Sequence, residues 1–114
     1  MLLPIATTLM AALASGPLPN PRAIAEIESK LSAVKCVRPL GRWSRHYSYW
    51  QEGSVDNRYI DVWFIEAGHD GVRAGRFVTA PEPPMLDDSQ FRLVSGKYDI
   101  AAHRFVKFYC GTNR

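Results

Sequence analysis

The residues best suited to chemistry form a basic and aromatic stretch between Glu28 and Glu52. No acid lies between these two, and the Lys and Arg residues there are Lys30, Lys35, Arg38, Arg42 and Arg45. The interleaved aromatic residues are Trp43, Tyr47, Tyr49 and Trp50. Guanidinium groups bind phosphate or carboxylate through two hydrogen bonds, and aromatic rings stack on sugars or bases. The stretch therefore predicts a contact for an anionic polymer. The alternative is a row of solvated charges over packed core aromatics.

Catalytic and metal-binding patterns are missing from the sequence. The histidines, at positions 46, 69 and 103, do not show metal-ligand spacing, and there is no C-x-x-C pair. Asp87 and Asp88 adjoin a Pro-rich stretch, but two carboxylates without further oxygen ligands are typical of solvated charge. There is neither a glycine-rich phosphate loop nor a G-x-S-x-G motif. We therefore expect no metal, no cofactor and no enzymatic activity.

The N-terminal segment has the features of a cleavable secretion signal. The first 21 residues carry no charged side chain, and 2–14 is an apolar run that is too short for a membrane span of about 20 residues. Ala12 and Ala14 match the small residues of a signal peptidase site, and a Pro-rich joint follows at 15–20. We expect cleavage after Ala14 and no membrane span afterwards. No Lys or Arg precedes the run, and a buried N-terminal helix is the alternative.

Cys36 and Cys110 are the two cysteines of the chain. In an exported protein such a pair forms a disulfide more often than a metal site or a reactive thiol couple. A bridge that closes a loop of this length stabilises by about 3 to 4.7 kcal/mol in the chain-entropy model. We therefore predict a disulfide-closed domain in the periplasm or outside the cell.

The remaining residues, 21–114, have the length of one domain. Asn20 is a helix cap, and Pro21 suits the first helical position. Apolar side chains then recur at helical spacing, at Ile24, Ile27, Leu31 and Val34. The spacing predicts a helix that ends near Lys35.

Strand patterns occupy the rest of the domain. They lie at 43–51, 58–66, 72–79, 90–98 and 104–110. The second and third are expected to form a hairpin, and the Pro-rich stretch 80–89 is expected to be a loop. The pattern predicts an α+β fold with two layers and one disulfide. One N-terminal helix packs on a curved antiparallel sheet of four to five strands.

The disulfide predicts which side chains of the last strand face the helix. If Cys110 points toward the helix, alternation places Val106 and Phe108 on the same side and Phe105 and Tyr109 on the other. In 59–65, either set of alternate residues leaves large apolar side chains on the second face of the sheet. A sheet that is apolar on both faces is either covered twice or used for binding.

One catalytic alternative comes from the order of Glu66, Arg76 or Arg92, and His103 in the chain. This order, in a basic exported domain with a helix before a sheet, loosely resembles small secreted microbial ribonucleases. The resemblance implies a carboxylate base, an arginine that steadies the phosphate and a histidine acid. The two-layer outline also resembles cystatin-like folds, although the chain has no Q-x-V-x-G inhibitor loop. An inhibitor of a secreted or periplasmic enzyme is therefore a further alternative.

Together these features favour a non-enzymatic binding or interaction module of the bacterial cell envelope. The short signal and the absence of an N-x-S/T glycosylation site favour a bacterial source. The expected contact residues are Arg38, Arg42, Arg45, Tyr47, Tyr49, Trp63 and Tyr109. The expected partner is an anionic envelope polymer or a protein, with a homodimer through the second face as an alternative.

The export signal and the disulfide can be tested together by mass spectrometry of protein recovered after secretion. We expect the loss of the first ~14 residues and a mass two protons below that of the reduced chain. An intact N-terminus with two free thiols would contradict both inferences.

Overall fold

The computed structural model describes residues 16–68, 71–85 and 93–111. The predicted signal segment, His69, the Asp87-Asp88 pair and Arg92 lie outside these ranges. The described chain has one α-helix, α1 (Pro21–Lys30), and five strands. The strands are β1 (Trp43–Glu52), β2 (Ser54–Glu66), β3 (Phe77–Thr79), β4 (Leu93–Asp99) and β5 (Arg104–Tyr109). Within these residues no helix combines the length and the hydropathy needed to cross a membrane.

The helix α1 begins where the sequence predicts and ends earlier. Asn20 caps it, because its side-chain oxygen accepts a hydrogen bond from the backbone N–H of Arg22 at 2.8 Å. Regular helix ends at Lys30. Three short 3₁₀ turns precede β1, one at Leu40–Arg42 and two directly after the helix at Leu31–Ala33 and Lys35–Val37. Val34, between these turns, adopts an extended conformation, which interrupts the helical hydrogen bonds.

The five strands form one mixed sheet in the order β3-β1-β2-β4-β5. β2 pairs antiparallel with β1 and β4, and β5 pairs antiparallel with β4, but β3 lies parallel to β1. The expected hairpin between 58–66 and 72–79 and the fully antiparallel sheet are therefore wrong. After β2 the chain turns back past the start of β1, where Ala67 N donates to Arg42 O at 2.7 Å and Gly75 N to Trp43 O at 2.9 Å. The following strand therefore runs alongside β1.

The core lies between α1 and one face of the sheet. On the helix it includes Ile24, Ile27 and Leu31, all buried. The buried core residues of β1, β2 and β4 are Trp43, Tyr47, Ile60, Val62, Phe64, Val94 and Tyr98. Gly96 in β4 allows two rings to lie against the sheet, because a Cβ there would be 2.9 Å from the ring of Phe108 and 3.1 Å from that of Phe105.

A β-bulge in β5 changes the predicted orientation of its side chains. The register with β4 shifts between Lys97 and Tyr98, so Val106 becomes an extra residue. Because a bulge reverses the alternation of side chains, Phe105 packs on Tyr98 with ring centroids 5.0 Å apart, while Val106 is 45% exposed. Phe108 packs against the core as predicted, but the orientations predicted for Phe105 and Val106 are wrong.

The predicted disulfide is confirmed. Cys36 and Cys110 are bonded, with their Cα atoms 5.9 Å apart and a sequence separation of 74. The bond joins the second 3₁₀ turn after α1 to the residue that follows β5. It therefore ties the helical layer to the edge of the sheet farthest from β3.

A buried polar network joins α1 to β1. Arg45 is only 4% exposed, and its Nε donates to Oε2 of Glu28 at 3.0 Å while its Nη2 donates to Oε1. The hydroxyl of Tyr47 donates to the same carboxylate. Burial, followed by the bond to Glu28, raises the pKa of Tyr47 well above its usual value, so the hydroxyl keeps the proton that it donates.

Loss of the Glu28 carboxylate should strongly destabilise the fold. Glu28→Ala leaves the buried Arg45 charge unpaired, which costs about 3 to 5 kcal/mol, as measured by urea denaturation. Glu52→Ala removes an exposed carboxylate and serves as the control, with an expected change within about 0.5 kcal/mol. A triple variant, Glu28→Leu with Arg45→Leu and Tyr47→Phe, should recover most of the loss because neither a buried charge nor an unsatisfied hydroxyl remains. A Glu28→Ala effect as small as that of the control would contradict this role.

Candidate functional site

The candidate site lies on the second face of the sheet, which is the side opposite α1. Strand register places a mixed polar and aromatic set there, whereas the core side is mainly apolar apart from the Glu28 network. The central strands contribute His46, Ser48, Trp50, Tyr59, Asp61, Trp63, Ser95 and Lys97, and β5 contributes Lys107 and Tyr109. A surface of this composition can both stack on a ligand and hydrogen-bond to it.

Asp61 is a carboxylate near the middle of this face and is only 8% exposed. The indole Nε1–H of Trp63 donates to its Oδ2 at 3.0 Å. In the strand register Ser48 lies opposite Asp61 on β1, and Lys97 lies opposite it on β4. Burial raises the pKa of Asp61, and the Trp63 hydrogen bond and the Lys97 charge oppose that rise. The ionised carboxylate is therefore held in an unfavourable environment.

Lys97 is held between two aromatic rings. Its Nζ lies 4.1 Å from the ring centroid of Trp50 and 4.4 Å from that of Tyr59. Such cation–π contacts contribute about 0.5 to 2 kcal/mol each. The ammonium acts on Asp61 through its charge, while the rings fix its position. A cation, a carboxylate and three aromatic side chains are thus close together on one surface.

Two donors in the same cluster have unused hydrogen-bonding capacity. The Ser48 hydroxyl and the Trp50 indole Nε1–H are buried and have no hydrogen-bond partner among the described residues. Buried polar groups are nearly always bonded, and leaving one unbonded costs about 1 to 3 kcal/mol. Both belong to β1 and point to the same face as Asp61. Because both atoms are inaccessible, a polar ligand would reach them only after the side chains that cover them moved.

The Pro-rich segment borders this face along β1. Gln51 Nε2 donates to Pro81 O at 2.7 Å, and the ring Nε2 of His46 lies 3.1 Å from Glu82 O. Residues 80–85 have no strand pairing, as the prolines predict. The Pro-rich segment therefore bounds the second face on the β1 side. No described segment bounds this face on the β5 side.

The basic stretch does not form one surface. Arg45 and Tyr47 point into the core, so the structure removes both from the predicted contact surface. Tyr49 is half-buried, and its hydroxyl accepts from Asn20 N at 3.1 Å. Arg38 is exposed, but its guanidinium donates to Ser32 O at 3.0 and 2.7 Å. Arg42 is exposed at the start of β1.

The two predicted contact residues outside that stretch share the second face. Trp63 is partly buried beside Asp61, and Tyr109 is 53% exposed near the end of β5. Sequence reasoning missed Asp61, Lys97 and Ser48 as members of the same cluster. Their alternation with aromatic residues is visible in the sequence, but the pairing of strands that joins them is not.

The residues of the ribonuclease-like order are not brought together. Glu66 ends β2 next to the start of β1, whereas His103 lies in the turn between β4 and β5. Asp99, just before that turn, pairs with Tyr59, seven residues before Glu66. At about 3.3 Å per residue this separation is on the order of 20 Å. Arg76 lies immediately before β3, which is on the opposite side of β1 from β2.

His103 takes part in a different cluster, which joins α1 to the β4–β5 turn. Its Nδ1 lies 2.9 Å from Oε1 of Glu26, the Tyr98 hydroxyl donates to the same carboxylate, and Lys30 Nζ donates to the Tyr98 hydroxyl at 2.7 Å. The Tyr98 hydrogen bond is the main cause that lowers the pKa of Glu26. Within the described ranges, no three His, Cys, Asp or Glu side chains are grouped as metal ligands.

Comparison with known proteins gives no relative: no family model matches the chain, and no curated protein or solved structure matches it significantly.

Asp61→Asn should stabilise the protein at pH 7 by about 1 kcal/mol, the scale of one poorly satisfied buried polar group. The amide has no charge to bury, and its oxygen still accepts from Trp63. Because folding raises the pKa of Asp61, wild-type stability from this group is complete below the unfolded value of 3.8 and is lost as the pH rises through the folded value. The advantage of the variant should therefore vanish near pH 3.

This comparison requires urea denaturation of both proteins at the two pH values. Asp56→Asn is the matched control, because Asp56 is exposed and its Oδ1 accepts from Arg58 N, which an amide oxygen can also do. A wild type that is more stable than Asp61→Asn at pH 7 would show that attraction to Lys97 outweighs the cost of burial.

Proposed function

We propose that this protein is an exported, non-enzymatic binding module of the bacterial cell envelope, and that the second sheet face binds an anionic glycan polymer. The observation that carries the proposal is the cluster around Asp61. A buried carboxylate and two unsatisfied donors lie among the rings of Trp50, Tyr59 and Trp63. Sugar rings offer faces that stack on aromatic side chains and hydroxyl groups that donate and accept hydrogen bonds.

The charge of the face supports an anionic polymer. Lys97 and Lys107 are directly opposite in the register of β4 and β5, and Ser95 and Tyr109 form the neighbouring pair. Lys107 and Tyr109 are exposed. The full chain has a net charge of +3. An elongated ligand with negative groups that crossed β5 would thus meet Lys107 and Tyr109 first and then Lys97, which belongs to the Asp61 cluster.

The choice of a binding role over catalysis rests on how the titratable groups are distributed. Glu66 and His103 lie at opposite ends of the sheet. General acid–base chemistry needs both groups within hydrogen-bond reach of one substrate. The Cys36–Cys110 disulfide supports placement in the periplasm or outside the cell, because such bonds persist in oxidising compartments.

Co-sedimentation with purified peptidoglycan sacculi tests this function. Peptidoglycan is the probe because its glycan strands carry carboxylate-bearing peptides. We expect wild-type protein to pellet at low salt, with affinity falling as salt screens the lysines. Lys107→Ala and Tyr109→Ala should each weaken binding about tenfold or less, as expected for exposed contacts, and Trp63→Ala should weaken it further. Circular dichroism confirms that each variant is folded.

The matched control is Arg22→Ala, which removes an exposed positive charge from α1, on the other side of the sheet. It should pellet like the wild type. Equal losses for Arg22→Ala and Lys107→Ala would show that binding depends on net charge alone, and the second face would then not be the contact surface. Failure of wild-type protein to pellet at low salt would overturn the proposed ligand. Salt-insensitive capture of a single periplasmic protein would instead indicate a protein partner.

A further inference from the structure

A shallow concavity of about 430 Å³ lies at the β3 edge of the sheet. It is lined by Gly71, Val72, Arg73, Arg76, Phe77 and Val78. The lining thus combines two cationic side chains with an aromatic ring and aliphatic groups. It lies on the strand farthest from β5 and shares no residue with the Asp61 cluster.

The two arginines of the concavity have no acidic partner among the residues that the structure describes. Arg73 and Arg76 are exposed, and no ion pair joins either of them to a carboxylate in the ranges that the structure describes. Other arginines differ, since Arg45 pairs with Glu28 and Arg58 pairs with Asp99. A free guanidinium presents a planar fork of donors that matches a carboxylate. The edge therefore has an unmet preference for anionic groups.

The backbone of β3 is also available for pairing. On its inner side Arg76 O accepts from Arg45 N at 3.0 Å, and Ala80 N donates to Tyr47 O at 2.9 Å. This parallel pattern directs the N–H and C=O groups of Phe77 and Thr79 to the outer side. No described strand pairs with that side, because β3 ends the strand order. Such an edge can accept another extended chain.

The exposed ring of Phe77 is held in place by the buried network. Its centroid lies 5.6 Å from the Tyr47 ring, nearly perpendicular to it, and 5.8 Å from the Arg45 guanidinium carbon. Even so, Phe77 remains 46% exposed. A fixed apolar ring next to two free arginines can bind without first being ordered, which lowers the entropic cost of binding.

We propose that the outer edge of β3 binds an extended acidic peptide by strand addition. The peptide backbone pairs with the outward groups of Phe77 and Thr79, its carboxylates pair with Arg73 and Arg76, and an apolar side chain packs on Phe77. The free edge favours a peptide over a small anion, because only a chain with its own N–H and C=O groups uses both features. This site is independent of the second-face function.

Fluorescence anisotropy with labelled eight-residue peptides tests the proposal on the disulfide-bonded protein. The probe alternates Glu and Val, a second peptide has Gln in place of Glu, and a third carries the Glu–Val sequence with alternate backbone amides N-methylated. We expect the first peptide to bind, and the Gln and N-methylated peptides to bind at least about tenfold more weakly, because each lacks one of the two kinds of contact.

Protein variants locate the site. Arg73→Ala and Arg76→Ala should each reduce the affinity for the Glu–Val peptide about three- to tenfold, while Arg104→Ala, which removes an exposed arginine at the start of β5, should leave it unchanged. Equal affinity for the Gln peptide would overturn the role of the arginines. Equal affinity for the N-methylated peptide would overturn strand addition. Equal losses in all three variants would show that binding follows net charge and would overturn the site.

Discussion

The buried network of Glu28, Arg45 and Tyr47 determines how the two layers fit together. A ten-residue helix such as α1 has little stability of its own, so it depends on packing against the sheet. The carboxylate of Glu28 takes donors from both Arg45 and Tyr47, which lie two residues apart on β1. Because side chains alternate along a strand, this contact also decides which residues of β1 face away from α1. The side chains of β1 that form the second face are therefore determined by which of its side chains contact α1.

The same network also supports β3 at one edge of the sheet. Different hydrogen bonds stabilise the region near the β4–β5 turn. Phe77 packs on Arg45 and Tyr47, which supports a parallel strand of only three residues. Near the β4–β5 turn, Glu26 and Asp99 accept several hydrogen bonds, and the pKa of each is lowered, in Asp99 chiefly by Arg58. Both contribute stability that is complete above their unfolded values and is lost as the pH falls through the folded values. Asp61 acts in the opposite sense, so acid weakens the end of the sheet near the β4–β5 turn while it relieves the centre of the second face.

The features that the sequence predicts correctly depend on local chemistry or on simple alternation. The start of α1 follows from Asn20 and Pro21, the loop at 80–85 from its prolines, and the disulfide from having two cysteines. The wrong predictions concern features that depend on contacts between residues distant in the sequence. A charged residue such as Arg45 is expected outside until its partner, 17 positions earlier, is known to lie on the facing helix. The bulge at Val106 and the parallel course of β3 leave no comparable local pattern, because each results from packing.

The Asp61 cluster is costly for the fold, and that cost is an argument for function. An apolar residue at position 61 would cover the sheet without burying a carboxylate, and an apolar residue at position 48 would leave no unsatisfied hydroxyl. The core side shows the contrast, since every polar side chain of the Glu28 network has a partner. Among the described residues, the Glu28 network is fully satisfied, whereas two buried donors on the second face have no partner, and the proposed ligand site accounts for that difference. Under the proposed function, a polar ligand would supply the partners that the Ser48 and Trp50 donors do not find among the described residues.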